Sequence, residues 1–225
     1  MRLRQMLPRA GMRVLSVLPS RFDPILPENL DARPKIFCVG FHKTGTTSFG
    51  RALRTLGFRV RKGMNFNRPG KRIVIPEPVT LEKVEEVALR LVPRYAAFED
   101  NPWPLMFRRL DEEYPGSRFI LTRRESASWI RSAANYFGTK TNPMFDLIYG
   151  RRDFCIAGNE EEAVARYERH NADVLEHFRG RGEDLLIWDL ASAQSWDRLC
   201  DFLECPVPRQ PFPHAKNSAA RKSAA

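Results

Sequence analysis

Residues 35–57 read KIFCVGFHKTGTTSFGRALRTLG and contain three elements in series. Lys35 to Phe41 is a short apolar run with β-branched and aromatic side chains, preceded by Pro34, and predicts a buried strand. Thr46 to Leu56 places Phe49, Leu53 and Leu56 at helical spacing, and Gly57 supplies a stop. Between them runs Gly40-Phe41-His42-Lys43-Thr44-Gly45-Thr46-Thr47, a glycine-containing turn that opens directly into a helix. Such a turn aims several backbone N–H groups at one spot, and the helix dipole adds partial positive charge there. Lys43 adds a full charge, and Thr46 and Thr47 bring hydroxyl donors. The expected guest is a phosphate or a sulfate. The competing reading is a tight turn with Lys43 as a solvated surface charge.

Further strands are expected at Tyr95 to Phe98, ending at Glu99 and Asp100, at Arg118 to Thr122 and at Leu185 to Trp188. Helices are expected from the Thr80 cap to about Leu91, and over Pro104–Glu113, Ser126–Phe137, Glu160–Phe178 and Ser195–Leu203. Residues 58–80 are rich in Gly and Pro, with a strand candidate at Arg72 to Ile75, and residues 138–158 read as loop. Repeated strand–helix units with near-continuous apolar strands imply an α/β fold of three layers, a central, mainly parallel sheet with helices on both faces. Right-handed crossovers gather the post-strand loops on one edge, where ligands of such sheets bind. The loops after Phe41, Phe98 and Thr122 are therefore the site candidates.

The chain has 225 residues, enough for one medium domain, expected over 35–213 between an N-terminal arm (1–34) and a basic tail (214–225). Its net charge of +10 favours anionic partners. Zinc-finger spacing, aromatic ribonucleoprotein motifs and lysine runs are missing, so nucleic acid is not expected. No run of about 18 apolar residues occurs, so no transmembrane helix is expected. Cys38, Cys155, Cys200 and Cys205 lack CxxC spacing and read as reduced thiols of a cytoplasmic protein. Arginines interrupt the apolar residues of the arm, which argues against a signal peptide. Leu3, Met6, Leu7 and Leu15 share a helical face, so peripheral membrane contact is an alternative to a packed or disordered arm, although Pro8 and Gly11 weaken it.

The order of residues in the first loop is unusual. In the nucleoside-triphosphate pattern GxxxxGKS/T the lysine follows the second glycine. Here Thr46 holds that place and Lys43 lies two residues before Gly45. Asp189, after the strand LLIW, is the only weak acidic candidate for magnesium. This lysine-first loop, KTGTT after an apolar strand, resembles the 5′-phosphosulfate loop of the sulfotransferase family. The stretches DNPWPLMFRRLDEEYPGSRFILTRRESASWIRS and WDRLCDFLECPVPRQPFPH look like its bacterial members.

The resemblance implies a P-loop-like fold and 3′-phosphoadenosine-5′-phosphosulfate (PAPS) as co-substrate, with no metal. It implies a hydroxyl or amine acceptor on a small molecule, carbohydrate or lipid. His42, Lys43, Thr44, Gly45, Thr46, Thr47 and Ser48 would surround the 5′ end. Arg124 and Ser132, eight residues apart at the family's spacing, would hold the 3′-phosphate, with Arg123 as the neighbouring alternative. Lys43 and Asp100 would carry the chemistry: Asp100 precedes Pro102 as the family's histidine base precedes a proline, and Glu99 is the alternative. Ser48 stands where animal relatives stack a tryptophan on adenine, and their RKGxxGxWK motif is missing. His214, Lys216, Asn217 and Arg221 are the substitutes considered for its phosphate contacts. For His42 a structural or acceptor-side role competes, for Asp100 helix capping, and for Tyr167 and His170 a satisfied buried pair. Rival functions are a small P-loop kinase and a non-catalytic anion or membrane-surface module.

Overall fold

Phe37 and Val39 turn to one side of the sheet while Ile36 and Cys38 turn to the other, so one strand feeds two separate cores. That strand, β1 (Ile36–Cys38), is the middle of five in a computed structural model that describes residues 34–67, 73–190 and 196–213. The others are β2 (Val60–Lys62), β3 (Ala97–Glu99), β4 (Arg118–Arg123) and β5 (Leu185–Asp189). Their order is β2-β3-β1-β4-β5 and every pairing is parallel. Phe37 lies opposite Phe98 of β3 and Phe119 of β4, with ring centroids 4.9 and 5.5 Å away. Burying each such ring stabilises the fold by about 1.5–3 kcal/mol.

Helices α1 (Thr46–Thr55) and α7 (Trp196–Leu203) cover the Ile36–Cys38 side, packing Phe49, Leu53, Trp196 and Leu199 onto Ile120, Leu186 and Trp188. The opposite face carries α2 (Leu81–Leu89), α3 (Phe107–Glu113), α4 (Ser126–Phe137), α5 (Pro143–Tyr149) and α6 (Glu160–His177). These are the three layers expected, in an α/β fold of P-loop type. No described helix is long and apolar enough to cross a membrane.

Several elements differ from the sequence reading. Strand β2, within the supposed Gly- and Pro-rich stretch, is an edge strand, and its residues are only half-buried or exposed. The Arg72–Ile75 candidate contributes a single bridge, Ile73 to Phe66, and Arg72 lies outside the described residues. Strand β3 begins two residues later than expected, because a 3-10 turn over Val92–Arg94 precedes it and the Tyr95 ring packs against the Arg59 guanidinium. The 138–158 stretch holds α5, which Asn142 caps by accepting the Phe145 N–H at 3.0 Å, with Pro143 in the first turn. The Pro104 helix starts as a 3-10 turn, Trp103–Met106, before becoming α3. Of the expected arm only Pro34 is described, and Ser195 and the tail residues His214, Lys216, Asn217 and Arg221 also lie outside the described residues.

Candidate active site

The first loop is shaped by its neighbour β4. A Cβ on Gly40 would lie 2.2 Å from both the backbone oxygen and Oγ1 of Thr122, so only glycine admits this approach. Thr44 Oγ1 donates to the Phe41 carbonyl at 2.6 Å. With its proton so used, it accepts from Thr122 Oγ1 at 2.7 Å. The Thr44 hydroxyl is therefore enclosed in a weld between loop and strand, and only the backbone of Thr44 remains for a guest. Lys43 and Gly45 adopt positive φ, +67° and +97°, which turns the chain into α1. Phe49 N–H closes on the Gly45 carbonyl at 3.1 Å. The amides of Thr46 and Thr47 precede that bond and, as in the first turn of any helix, have no intrahelical acceptor. Thr47 is exposed at the mouth of this cradle, while Thr46 and Ser48 are buried.

Register brings three loops to one edge. Phe37 pairs with Phe98 and Cys38 with Ile120. Asp100, two residues beyond Phe98, thus leaves β3 level with Val39, and Thr122 leaves β4 level with Gly40, each about 4.8 Å away in the sheet. The Arg123–Glu125 turn follows directly.

Here the two arginines part company. Arg123 grips Asp189 through two bonds, Nε to Oδ1 at 3.1 Å and Nη2 to Oδ2 at 2.9 Å. That occupies both the alternative phosphate ligand and the acidic magnesium candidate. Arg124 has no carboxylate partner among the described residues; its Nε donates to Ser128 Oγ at 2.8 Å. Ser128 was not singled out in the sequence, although it sits one turn before the half-buried Ser132 on α4. Burial lowers the pKa of Lys43, and the positive charge of Arg124 lowers it further. The Lys43 ammonium rests 4.0 Å from the centre of the Tyr136 ring.

Buried polar groups of α4 and α6 hold these loops. Tyr167 Oη accepts the Arg124 N–H at 2.9 Å and donates to the Arg124 carbonyl at 2.8 Å. Its ring stacks on Trp129 at 4.3 Å, and Trp129 Nε1–H donates to the His42 carbonyl at 2.8 Å. His170 Nε2 donates to the Val39 carbonyl at 2.7 Å, and burial holds the ring neutral with its pKa near 4. Tyr167 and His170 are thus a satisfied buried pair that braces β1 and the Arg124 turn. His42 departs from the cradle: its backbone belongs to the loop, but its ring is buried against Trp129, Phe137 and Phe145. Burial, and then the charge of Lys43, push its pKa to about 3.

On the β3 side Asp100 takes φ +70°, and its Oδ1 accepts the Asn101 N–H at 2.9 Å. The Asn101 carbonyl accepts the Met64 N–H at 2.8 Å, and a Cβ on Gly63 would lie 2.3 Å from that carbonyl oxygen. Burial raises the Asp100 pKa, opposed by the Asn101 bond and by Lys62, a residue the sequence reading passed over. Glu99 points instead to α1, with Arg54 at 3.7 Å and a would-be Gly50 Cβ 2.3 Å from its Oε1. Burial and the charge of Asp100 lift its pKa to about 7, against Lys62 and Arg54. No group of three or more metal-ligating side chains converges among the described residues.

A family model described as "Sulfotransferase domain" matches residues 35–221. The Ava biosynthesis cluster protein M of Aspergillus versicolor is 23% identical over 211 residues, covering 80% of this chain and 80% of that protein. Because the family match takes in the Lys43 loop, the Asp100 turn and the Arg124 unit in one span of well over half the sequence, the chain belongs to the sulfotransferase family.

Proposed function

We propose that this sulfotransferase uses PAPS as donor and passes its sulfuryl group to a hydroxyl or amine by in-line displacement. The observation that carries the donor assignment is the pairing of Lys43 with Arg124. These cations come from different loops that meet at one sheet edge: Lys43 follows Gly40, which packs directly on Thr122, and Arg124 follows Thr122. The donor set fits a nucleotide anionic at both ends. The amides at the start of α1, Lys43 and the Thr47 hydroxyl suit the 5′ end. Arg124, steadied by Ser128 and followed by Ser132, suits a 3′-phosphate. Thr44, Gly45, Thr46 and Ser48 supply the shape and backbone of that cradle.

When bound, the nucleotide supplies the sulfuryl group and a phosphate leaving group. Lys43 offsets the charge that grows as the bond to that phosphate breaks. Asp100 takes the proton released as the new oxygen–sulfur or nitrogen–sulfur bond forms. Its burial raises its basicity above that of an ordinary aspartate. Glu99 is set against α1 and serves less well in that role. The catalytic unit is residues 35–213, in a cytoplasmic protein. The kinase alternative loses ground because Asp189 already binds Arg123.

Calorimetry with 3′,5′-adenosine bisphosphate and with AMP tests the donor. A charge-assisted phosphate contact worth about 1.5–3 kcal/mol predicts roughly 10- to 100-fold tighter binding of the bisphosphate. Equal affinities would remove the 3′-phosphate site and PAPS with it.

A further inference from the structure

We propose that Cys200 and Cys205 form an oxidation site: a dithiol that a low-molecular-weight disulfide of the glutathione class closes to an intrachain disulfide, which fastens the chain after α7 and reopens on reduction. The site stands apart from the donor reading above and does not depend on it.

The end of α7 brings the two thiols together. The Cys205 N–H donates to the Cys200 carbonyl at 3.0 Å, and the Glu204 N–H to the Asp201 carbonyl at 3.3 Å. Glu204 takes φ +52°, the left-handed conformation that usually falls to glycine. These two bonds are the Schellman closure of a helix, in which the side chains of the first and sixth residues commonly meet. Here those residues are Cys200 and Cys205. Cys200 is 2% exposed, and its Sγ donates to the Pro206 carbonyl at 3.7 Å, which places the sulfur under the chain at Cys205. The half-buried Cys205 packs on the same core cluster. Disulfides bridge Cα separations of about 4.4–6.8 Å, a reach that a closed turn of this size satisfies. Glu204 also pairs with Arg118 at 2.8 Å, which ties the turn to the start of β4.

Packing alone explains one cysteine at this place; two facing thiols carry a reaction as well. Both are free thiols in this structure. Cys38 is enclosed in the central strand, and Cys155 lies in the turn after α5 with its Sγ on the Ala157 carbonyl at 3.5 Å. Exposure sets the order of events. The Cys205 thiolate attacks oxidised glutathione, displaces one glutathione thiolate and holds the other glutathione as a mixed disulfide. Cys200 then gives up its proton, attacks the Cys205 sulfur and expels the second glutathione, which takes a proton. Two protein thiols become one disulfide, and one glutathione disulfide becomes two glutathiones. Burial, and then the hydrogen bond with Cys205, push the Cys200 pKa to about 11, which suits it to the second, intramolecular step.

The bridge fastens the start of Pro206–Phe212. The far end of that segment is already held: Trp196 Nε1–H donates to the Gln210 carbonyl at 2.6 Å, and the Phe212 ring stacks on Trp188 at 5.4 Å. With both ends fixed, this cover over α7 and β5 opens less readily. Reversible disulfides in cytosolic proteins are characteristically redox-responsive. The nucleotide cradle lies elsewhere, since Arg118 begins β4 and Arg124 follows its other end, about 20 Å along the strand.

The test incubates the full chain with oxidised glutathione at mildly alkaline pH, alkylates the remaining thiols with iodoacetamide and digests with trypsin. Both cysteines fall in one peptide, Leu199 to Arg209. That peptide is expected to be two hydrogens lighter and unalkylated, and dithiothreitol should restore both alkylation sites. Cys200→Ala should instead retain one glutathione on Cys205. Cys205→Ser should react at Cys200 at least about tenfold more slowly than the wild type cross-links, because the remaining thiol is buried. In urea the oxidised wild type should unfold at a higher midpoint than the reduced protein, with the same affinity for 3′,5′-adenosine bisphosphate. A wild-type peptide that carries glutathione without closing, one that stays fully alkylated, a bridge to Cys38 or Cys155, or an unmoved urea midpoint would each overturn the proposal. The peptide readout needs no variant, so it stands even if Cys200→Ala fails to fold. A protein that forms the bridge but binds no bisphosphate would refute the PAPS reading alone.

Discussion

Replacing Glu99 with glutamine should remove a pH-dependent loss of stability that the wild-type protein carries. Glu99 is 1% exposed, Oε2 has no partner among the described residues, and its one ion pair among them is a 3.7 Å contact with a half-exposed arginine. Its pKa rises from 4.5 to about 7 on folding. Below pH 4.5 the group is protonated in both folded and unfolded chains and has no effect on the slope. Between 4.5 and 7 the folded chain keeps a proton that the unfolded chain has lost, so stability falls as pH rises, by up to about 1.4 kcal/mol per unit. Above pH 7 the loss levels off near 3 kcal/mol, from about 2.5 units at that rate. Glutamine has the same shape, so it still fits against Gly50, but it does not titrate. Urea denaturation of both proteins at half-unit steps from pH 4 to pH 8.5 reads the difference, with titrating groups remote from Glu99 cancelling. The variant should gain about 3 kcal/mol on wild type across that range. A difference flat through pH 4.5–7 would show that Glu99 is ionised in the fold, with Arg54 and Lys62 outweighing burial.

Arg124→Ala should weaken 3′,5′-adenosine bisphosphate about 10- to 100-fold and leave AMP nearly unchanged, by calorimetry. Arg123→Ala should spare the bisphosphate and cost within about 1 kcal/mol of stability, since its Asp189 pair is part-exposed. Tyr167→Phe deletes both bonds to the Arg124 backbone and should lower unfolding free energy by about 1–3 kcal/mol in urea. It should also loosen bisphosphate binding, because the turn that carries Arg124 loses its brace. Asp100→Asn should cut sulfuryl transfer from PAPS about 100-fold or more, with bisphosphate affinity preserved. In wild type the rate should rise with pH as Asp100 ionises, at a pH above that of an ordinary aspartate. Full activity in the asparagine variant removes Asp100 as base.

The sheet was legible because β1, β4 and β5 are apolar runs bounded by turn residues, the first two buried on both faces and β5 through Leu186 and Trp188. Edge strand β2 was not, since Val60-Arg61-Lys62 shows neither alternation nor an apolar run. Its place is fixed by pairing with β3, which periodicity does not report. Helix α5 carried a local sign that was passed over, Asn142-Pro143 ahead of Met144, Phe145 and Ile148. The cradle could be located from Gly40, Lys43 and Gly45 because glycines and a cation in a strand-to-helix turn have few other uses. The choice between Arg123 and Arg124 was not local: it depends on Asp189, 66 residues away. The direction of the His42 ring, and the service of the Thr44 hydroxyl to Thr122 rather than to a guest, depend on what α4, α5 and β4 place nearby.

The bond between Thr44 and Thr122 spans 78 residues, and it has a bearing on synthesis. A ribosome releases Gly40 to Gly45 long before the strand that moulds them exists. Until residue 122 has emerged, the nascent bend lacks the oxygen that orders its hydroxyl and the neighbour that excludes a side chain at Gly40. Shorter translation products carry the complete loop sequence but lack the strand that shapes it, so the bend takes its final form only after β4 has been made.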